Sequence, residues 1–418
     1  MVNYNKFVLA NGLRVLVHED HTTPMACVNV LYDVGARDED PERTGFAHLF
    51  EHLMFGGSVN IPNYDEVLQQ VGGENNAFTS NDITNYYITL PAVNLETALW
   101  LESDRMLSLA FSEQSLEVQR QVVIEEFKQR YLNQPYGDVW LKLRPLAYKA
   151  HPYRWATIGK NIEHIEQATM EEVKQFFEIF YHPSNAIMVI AGDVKVEEVK
   201  TLVEKWFATI PDHPVKKRSL PQESPQQAAR RESVEADVPV DSIYIAFHGP
   251  DRHHDDYYTL DLVSDLLSRG SSSRLYRALV KEQQLFVDVN AYLMGSIDTN
   301  LFVVEGKPSE GITLAQAEQA LWEQLDRLKT ELVAEKELDK VKNKVESTMV
   351  FAELSVLDKA MNLAYFELLG DANAYNTEVA QYAAITNTDI QRVSADIFRV
   401  ENSSTLIYHA KNQEAHVE

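Results

Sequence analysis

Cysteine is almost missing: Cys27 is the single one in 418 residues, which excludes internal disulfides and thiolate-rich zinc or iron–sulfur sites. Long apolar runs are missing too. With no stretch of 18 apolar residues and a mean hydropathy of −0.29, no membrane span is expected. Basic residues are few beside acidic ones, 38 Lys and Arg against 63 Asp and Glu, for a net charge of −25. Such a field repels phosphate backbones and anionic lipid surfaces and favours cationic partners, so nucleic acid is not an expected ligand. What is present is ordinary folded-protein material, 45% hydrophobic and 24% charged, with no mark of disorder. The length exceeds a comfortable single core and points to two domains of roughly 200 residues or several smaller ones. The first residues lead into Phe7-Val8-Leu9 and the turn signal Asn11-Gly12 rather than into a basic flank and an apolar export segment. A cytoplasmic location is expected, with the periplasm as the alternative for a chain whose leader has been removed.

The pattern along the chain repeats. A β-rich run, Val28 to Val34, is followed by a polar loop, an apolar-periodic helix from Phe46 to Phe55 and a Gly56-Gly57 stop. The same order returns roughly 215 residues later: strand Ile243 to Phe247, loop, helix Tyr258 to Leu267, then Arg269-Gly270. Each half ends on a buried-strand pattern, Ala186 to Ala191 and Ser404 to His409, and the Pro- and Gln-rich stretch between them has linker composition. The expected organisation is an N-terminal domain at 1–215, a linker at 216–233 and a similar C-terminal domain at 234–418. Strands mixed with long helices (Leu95 to Leu109, Leu116 to Tyr131, Leu314 to Leu332) predict an α+β class, two similar domains each with a mostly antiparallel sheet packed with helices.

The sharpest local signal is His48-Leu49-Phe50-Glu51-His52. Residues four apart share one helix face, so His48 and His52 can grip one metal ion while Glu51 addresses a water on it. A catalytic zinc takes three protein ligands and keeps one position open, so a third donor must come from elsewhere. The candidate is the Glu125-Glu126 pair on a second predicted helix. Neighbouring helical residues diverge by roughly 100°, so only one of the two faces the metal, and Glu126 shares its face with Gln119, Val122 and Val123. A histidine pair on a plain amphipathic helix is the competing explanation. The His253-His254 loop with Asp251, Asp255 and Asp256 reads as a solvated cluster.

At this point the sequence resembles the M16 peptidase family, the inverted-motif zinc peptidases that include pitrilysin, insulin-degrading enzyme and the mitochondrial processing peptidase. The resemblance rests on the segment from Gly45 through the His-x-x-Glu-His motif to Ser58, on Val122-Val123-Ile124-Glu125-Glu126, on Gly72 through Asn76-Ala77 to Ser80, on His151-Pro152-Tyr153 and on Ala191-Gly192-Asp193-Val194. It implies a zinc endopeptidase of the M16 metallopeptidase fold, in which His48, His52 and Glu126 bind Zn²⁺ and Glu51 is the general base. It also implies that Asn76 and Ala77 lie on a sheet edge to which an extended peptide adds as a strand. Gln119 stands where relatives often carry a glutamate, and a neutral amide there can still orient a ligand.

One part of the family pattern is broken. Members that act alone or as identical pairs carry an Arg and a Tyr seven residues apart in the second half, and here Val280 and Val287 stand at those positions. Neither side chain can donate a hydrogen bond to a developing oxyanion. The expectation is the metal-bearing, catalytic subunit of a heterodimer, whose non-identical M16-like partner supplies the Arg and Tyr. A non-catalytic structural subunit and a self-sufficient homodimeric peptidase are the alternatives. Extended or unfolded peptides, preferably cationic ones, are the expected substrates.

Overall fold

Asn11-Gly12 closes a hairpin. Gly12 adopts φ 85°, a value that suits glycine, and β1 (Asn5–Val8) folds back antiparallel on β2 (Arg14–Glu19). In the computed structural model, which describes residues 1–215 and 218–411, this hairpin begins the first of two sheets. The sheet is completed by β3 (Met25–Tyr32), β4 (Glu74–Thr79), β5 (Thr84–Pro91) and β6 (Ala186–Gly192), in the order β1-β2-β6-β3-β5-β4. All its pairs are antiparallel except β2 with β6. Every residue of β6 is buried, which is why it reads as an unbroken apolar run and not as an alternation.

The second sheet comprises β7 (Arg230–Ala236), β8 (Ser242–Gly249), β9 (Phe286–Leu293), β10 (Asn300–Pro308) and β11 (Ser403–Ala410), in the order β7-β11-β8-β10-β9. Only β7 with β11 is parallel. With β1 set aside, the two orders correspond strand for strand, β2-β6-β3-β5-β4 with β7-β11-β8-β10-β9. The expected repeat is therefore a repeat of topology, and the α+β class with mostly antiparallel sheets is borne out.

Three helices of the N-terminal half, α1 (Phe46–Leu53), α3 (Leu95–Leu107) and α4 (Glu113–Phe127), fall on the predicted runs, and two more, α2 (Tyr64–Gln70) and α5 (Val139–Ala147), stand where no helix is predicted. The chain packs as two compact units, one made of 1–127, 155–220 and 348–378, the other of 128–154, 221–347 and 379–418. The sequence boundary at 216–233 follows the chain, whereas the packing exchanges one segment in each direction. From the N-terminal half, α5 buries Val139, Leu143 and Ala147 with Tyr244, Leu301, Val303 and Leu406 in the second unit. From the C-terminal half, the helix Val356–Leu368 buries Ala360, Leu363 and Ala364 with Leu16, Cys27, Leu31, Ile187 and Val189 in the first. Cys27 is thus a core residue, and burial pushes its thiol far above the usual range.

The expected linker needs one correction. Strand β7 begins at Arg230, inside the stretch read as linker, because an edge strand with one partner leaves its charged side chains in solvent and looks like a linker in composition. Positions 216–217 of that linker and 412–418 of the expected second domain lie outside the described residues. The remainder is tied down: Arg218 bonds Asp33 and Asp38 of the first unit, and Glu223 accepts the backbone N–H groups of Lys149, Ala150 and His151 in the second. Among the described residues no helix is long and apolar enough to cross a membrane.

The exchanged helix Val356–Leu368 is tied to the first unit by Lys359, whose ammonium lies 2.5 Å from Asp20, both side chains nearly buried. The Lys359 bond, helped by the Thr22 hydroxyl, holds the Asp20 carboxyl well below the usual carboxylate range. A depressed folded pKa contributes stability that is present above the unfolded value of about 3.9 and lost as pH falls. Wild type should therefore lose stability more steeply than Asp20→Asn between about pH 5 and pH 2; equal acid slopes in urea titrations would contradict the pairing. Leu363→Ala should cost about 2–5 kcal/mol in the same assay, against less than about 0.5 kcal/mol for the exposed Val350→Ala.

Candidate metal centre

Helix α1 starts at a constrained turn. Gly45 takes φ 89°, and a Cβ there would sit 2.7 Å from the Ile158 carbonyl oxygen, so no other residue fits. Phe46, Ala47, Leu49, Phe50 and Leu53 bury one side of the helix, with the Phe50 ring packed against Phe176, Phe177 and Tyr181. The remaining arc carries His48, Glu51 and His52. The two imidazole rings stand with centroids 4.8 Å apart and planes at 89°.

Helix α4 lies against α1, buries Leu116, Val123, Ile124 and Phe127, and is anchored by Arg120, whose guanidinium donates to the Ala168 carbonyl. This rotation leaves Glu125 exposed and turns Glu126 inward. The Glu126 carboxylate lies 3.6 Å from His48 Nε2 and 3.5 Å from His52 Nε2. One donor atom from each of the three residues falls within 4.8 Å of the others. Among the described residues this is the single group of three or more His, Cys, Asp or Glu side chains so placed; the His253-His254 loop forms none.

The donor set fits zinc. Tetrahedral zinc with bonds of about 2.0–2.2 Å places its ligand atoms roughly 3.3–3.6 Å apart, the separation that Glu126 keeps from both imidazoles. Two nitrogens and one carboxylate oxygen leave one coordination position for water, the catalytic rather than the structural pattern.

Glu51 sits beside the cluster. Its Oε2 accepts a 2.5 Å hydrogen bond from the Thr79 hydroxyl. Burial raises the Glu51 carboxyl above its ordinary range; the Thr79 bond and His52 pull it down, and Glu126 pushes it up. Thr79 ends β4, the outer strand of the first sheet, so the Glu51 carboxylate and the sheet edge are physically joined. Along β4 burial alternates, with Asn75, Ala77 and Thr79 on the more covered face and Glu74, Asn76 and Phe78 exposed. Asn76 and Ala77, the expected substrate positions, lie on that edge strand. The Asn76 side-chain oxygen accepts the Ala77 N–H at 2.8 Å.

The structure brings together His48, His52 and Glu126 with Glu51 beside them. Gln119 lies half-buried two turns before Glu126 and makes no side-chain hydrogen bond to a ligand among the described residues. Sequence reasoning missed Thr79, and it missed Glu39. Glu39 is 7% exposed and accepts the backbone N–H groups of Gly45 and Ala47 and the indole N–H of Trp155. Burial pushes its carboxyl up to about 8 against the pull of those donors. The one available signal was negative: glycine at position 45 has no side chain with which to cap the helix.

Comparison with known proteins gives the family. Residues 14–153 match the family model "Insulinase (Peptidase family M16)" and residues 167–345 match "Peptidase M16 inactive domain". "Zinc protease PqqE" of Helicobacter pylori is 31% identical over 411 residues, covering 96% of this chain and 92% of that one. The chain belongs to the M16 peptidase family. The crystal structure of a protease from Helicobacter pylori superposes with a TM-score of 0.92 at 30% identity, covering 98% of this chain and 100% of that one. "Probable mitochondrial-processing peptidase subunit beta, mitochondrial" of Arabidopsis thaliana is 28% identical over 263 residues, 62% of this chain and 49% of the relative. The family suggested by the motifs is thus borne out, and relatives in it are named as zinc proteases. The cluster of His48, His52 and Glu126 lies within the stretch matched by the insulinase model.

Alanine at His48, His52 or Glu126 should each abolish stoichiometric zinc in metal analysis, whereas alanine at the exposed Glu125 should leave it intact. Zinc at a thousandfold excess over its dissociation constant should stabilise wild type by about 4 kcal/mol and leave Glu126→Ala unmoved. Zinc retention by Glu126→Ala together with loss by Glu125→Ala would reverse the assignment.

Proposed function

We propose that this chain is a zinc endopeptidase that cleaves extended or unfolded peptides as the catalytic subunit of a heterodimer. The observation that carries the reading is the convergence of His48, His52 and Glu126 on one point with Glu51 beside it. Zinc held there supplies a polarised water of lowered pKa. Glu51, whose Oε2 is tied to Thr79, receives a proton from the attacking water and returns it to the departing amine. The edge strand β4 offers backbone N–H and C=O groups to an added strand, so recognition is through the peptide backbone and side-chain selectivity is loose. Since Thr79 belongs to that strand, a peptide bound along β4 runs beside the carboxylate that serves its hydrolysis. The net charge of −25 favours cationic peptides.

The partner part of the reading is supported by what the second unit presents. Val280 is half-buried, and Val287 is exposed on β9, the outer strand that corresponds to β4. Neither donates a hydrogen bond, so oxyanion donors must come from a non-identical M16-like chain bearing the Arg and Tyr. One such donor is typically worth about 2.7–4 kcal/mol, or 10²–10³ in kcat.

Glu51→Gln should retain zinc and lose cleavage of an unstructured basic peptide by at least about a hundredfold. Thr79→Val should lower kcat roughly tenfold, the equivalent of one hydrogen bond to a charged group. Wild type should be weakly active alone and gain about a hundredfold or more with a partner that carries the Arg and Tyr. The Val280→Arg, Val287→Tyr double variant should gain part of that activity unaided. Full activity of the single chain without any partner would overturn the heterodimer, and a zinc-loaded, inactive mixture would overturn the peptidase.

A further inference from the structure

Helix α1 has eight residues, too short to be stable by itself, and its first N–H groups need acceptors. The residue that usually supplies one is Ser, Thr, Asp or Asn at the cap. Here the cap is Gly45, required by its φ of 89° and by the closeness of the Ile158 carbonyl. The neighbouring Thr44 is committed elsewhere: its hydroxyl lies 2.9 Å from His164 Nδ1 and accepts the Lys160 N–H at 2.8 Å. The acceptor comes instead from six residues upstream. Glu39 Oε2 takes the Gly45 N–H at 3.0 Å and Oε1 takes the Ala47 N–H at 2.9 Å, the latter immediately before His48. Behind the carboxylate, the Trp155 indole N–H lies 3.0 Å from both Glu39 Oε2 and the Ala36 carbonyl, so the clamp is itself clamped.

We propose that Glu39, backed by Trp155, is a positioning residue of the metal centre: its two oxygens fix the first turn of α1 and so the placement of His48, Glu51 and His52. It touches neither substrate nor metal. Ligands held by such outer contacts typically lose 10–100-fold in metal affinity when the contact is removed. The catalytic consequence rests on the peptidase reading; the metal and backbone consequences do not.

The test compares Glu39→Ala, Glu39→Gln and Trp155→Phe with Leu325→Ala, a core truncation in the second unit that supplies a thermal destabilisation unrelated to α1. In zinc-free protein, amide hydrogen exchange at Gly45 and Ala47 should speed up in the three clamp variants and not in Leu325→Ala. Zinc affinity by chelator competition should fall about 10–100-fold in Glu39→Ala and less in Glu39→Gln, which keeps one acceptor. In peptide cleavage kcat should fall with KM within about twofold, since β4 is untouched. If Glu39→Ala yields no folded protein, Trp155→Phe carries the same comparisons with a single donor removed. The proposal is overturned if the clamp variants match Leu325→Ala in exchange at 45 and 47 and in zinc affinity. Wild type that binds zinc and cleaves nothing would count against the peptidase, and the exchange and affinity readouts would still decide Glu39.

Discussion

Three side chains that could each give a lone pair to one cation converge on one point, and a bound cation would repay the cost of holding them together. Two imidazole nitrogens and a carboxylate oxygen, partly withdrawn from water and within 4.8 Å of one another, are an expensive arrangement for a fold to maintain without a counter-charge. The rest of the first unit is arranged around keeping them there. The left-handed entry at Gly45 sets where α1 begins, the aromatic packing of Phe50 sets its rotation, and the burial of Val123 and Ile124 turns Glu126 inward and Glu125 out.

The duplicated topology gives this centre its setting. Both sheets share one strand order, yet only the first copy carries a metal-competent helix; the corresponding helix Tyr257–Ser268 has no His pair, in keeping with the name of the family model that matches much of the second half. The segment exchange bears on the centre through chain connectivity. Phe127, next to Glu126, is the last residue of the first unit before the chain departs, and Trp155, which backs Glu39, is the first on its return. Both ends of the excursion are therefore joined to parts that place the ligands.

Much of this was legible in the sequence because it is local. The four-residue spacing of His48 and His52 needs only a helix, and the choice of Glu126 over Glu125 needs only the angle between neighbouring residues and the apolar company of Val123. The alternation of β4 and the unbroken apolar run of β6 likewise follow from which faces are covered. What escaped was non-local. Glu39 serves a helix that begins seven residues later, and its other partner, Trp155, is more than a hundred residues away. Thr79 bonds Glu51 only because β4 passes beside α1. The apolar stripe of Val356–Leu368 shows that the helix will be buried, but nothing within it specifies whose sheet will cover it. Strand β7 was hidden for the opposite reason, an edge strand being polar enough to pass for a linker.

The central claim is a two-imidazole, one-carboxylate zinc centre with room for water. Zinc-edge X-ray absorption on the purified chain tests it directly. The account predicts a four-coordinate shell of nitrogen and oxygen at about 2.0–2.2 Å with the outer-ring scattering of two imidazoles. A shell of six oxygens, one imidazole or none, or the absence of stoichiometric zinc would contradict it.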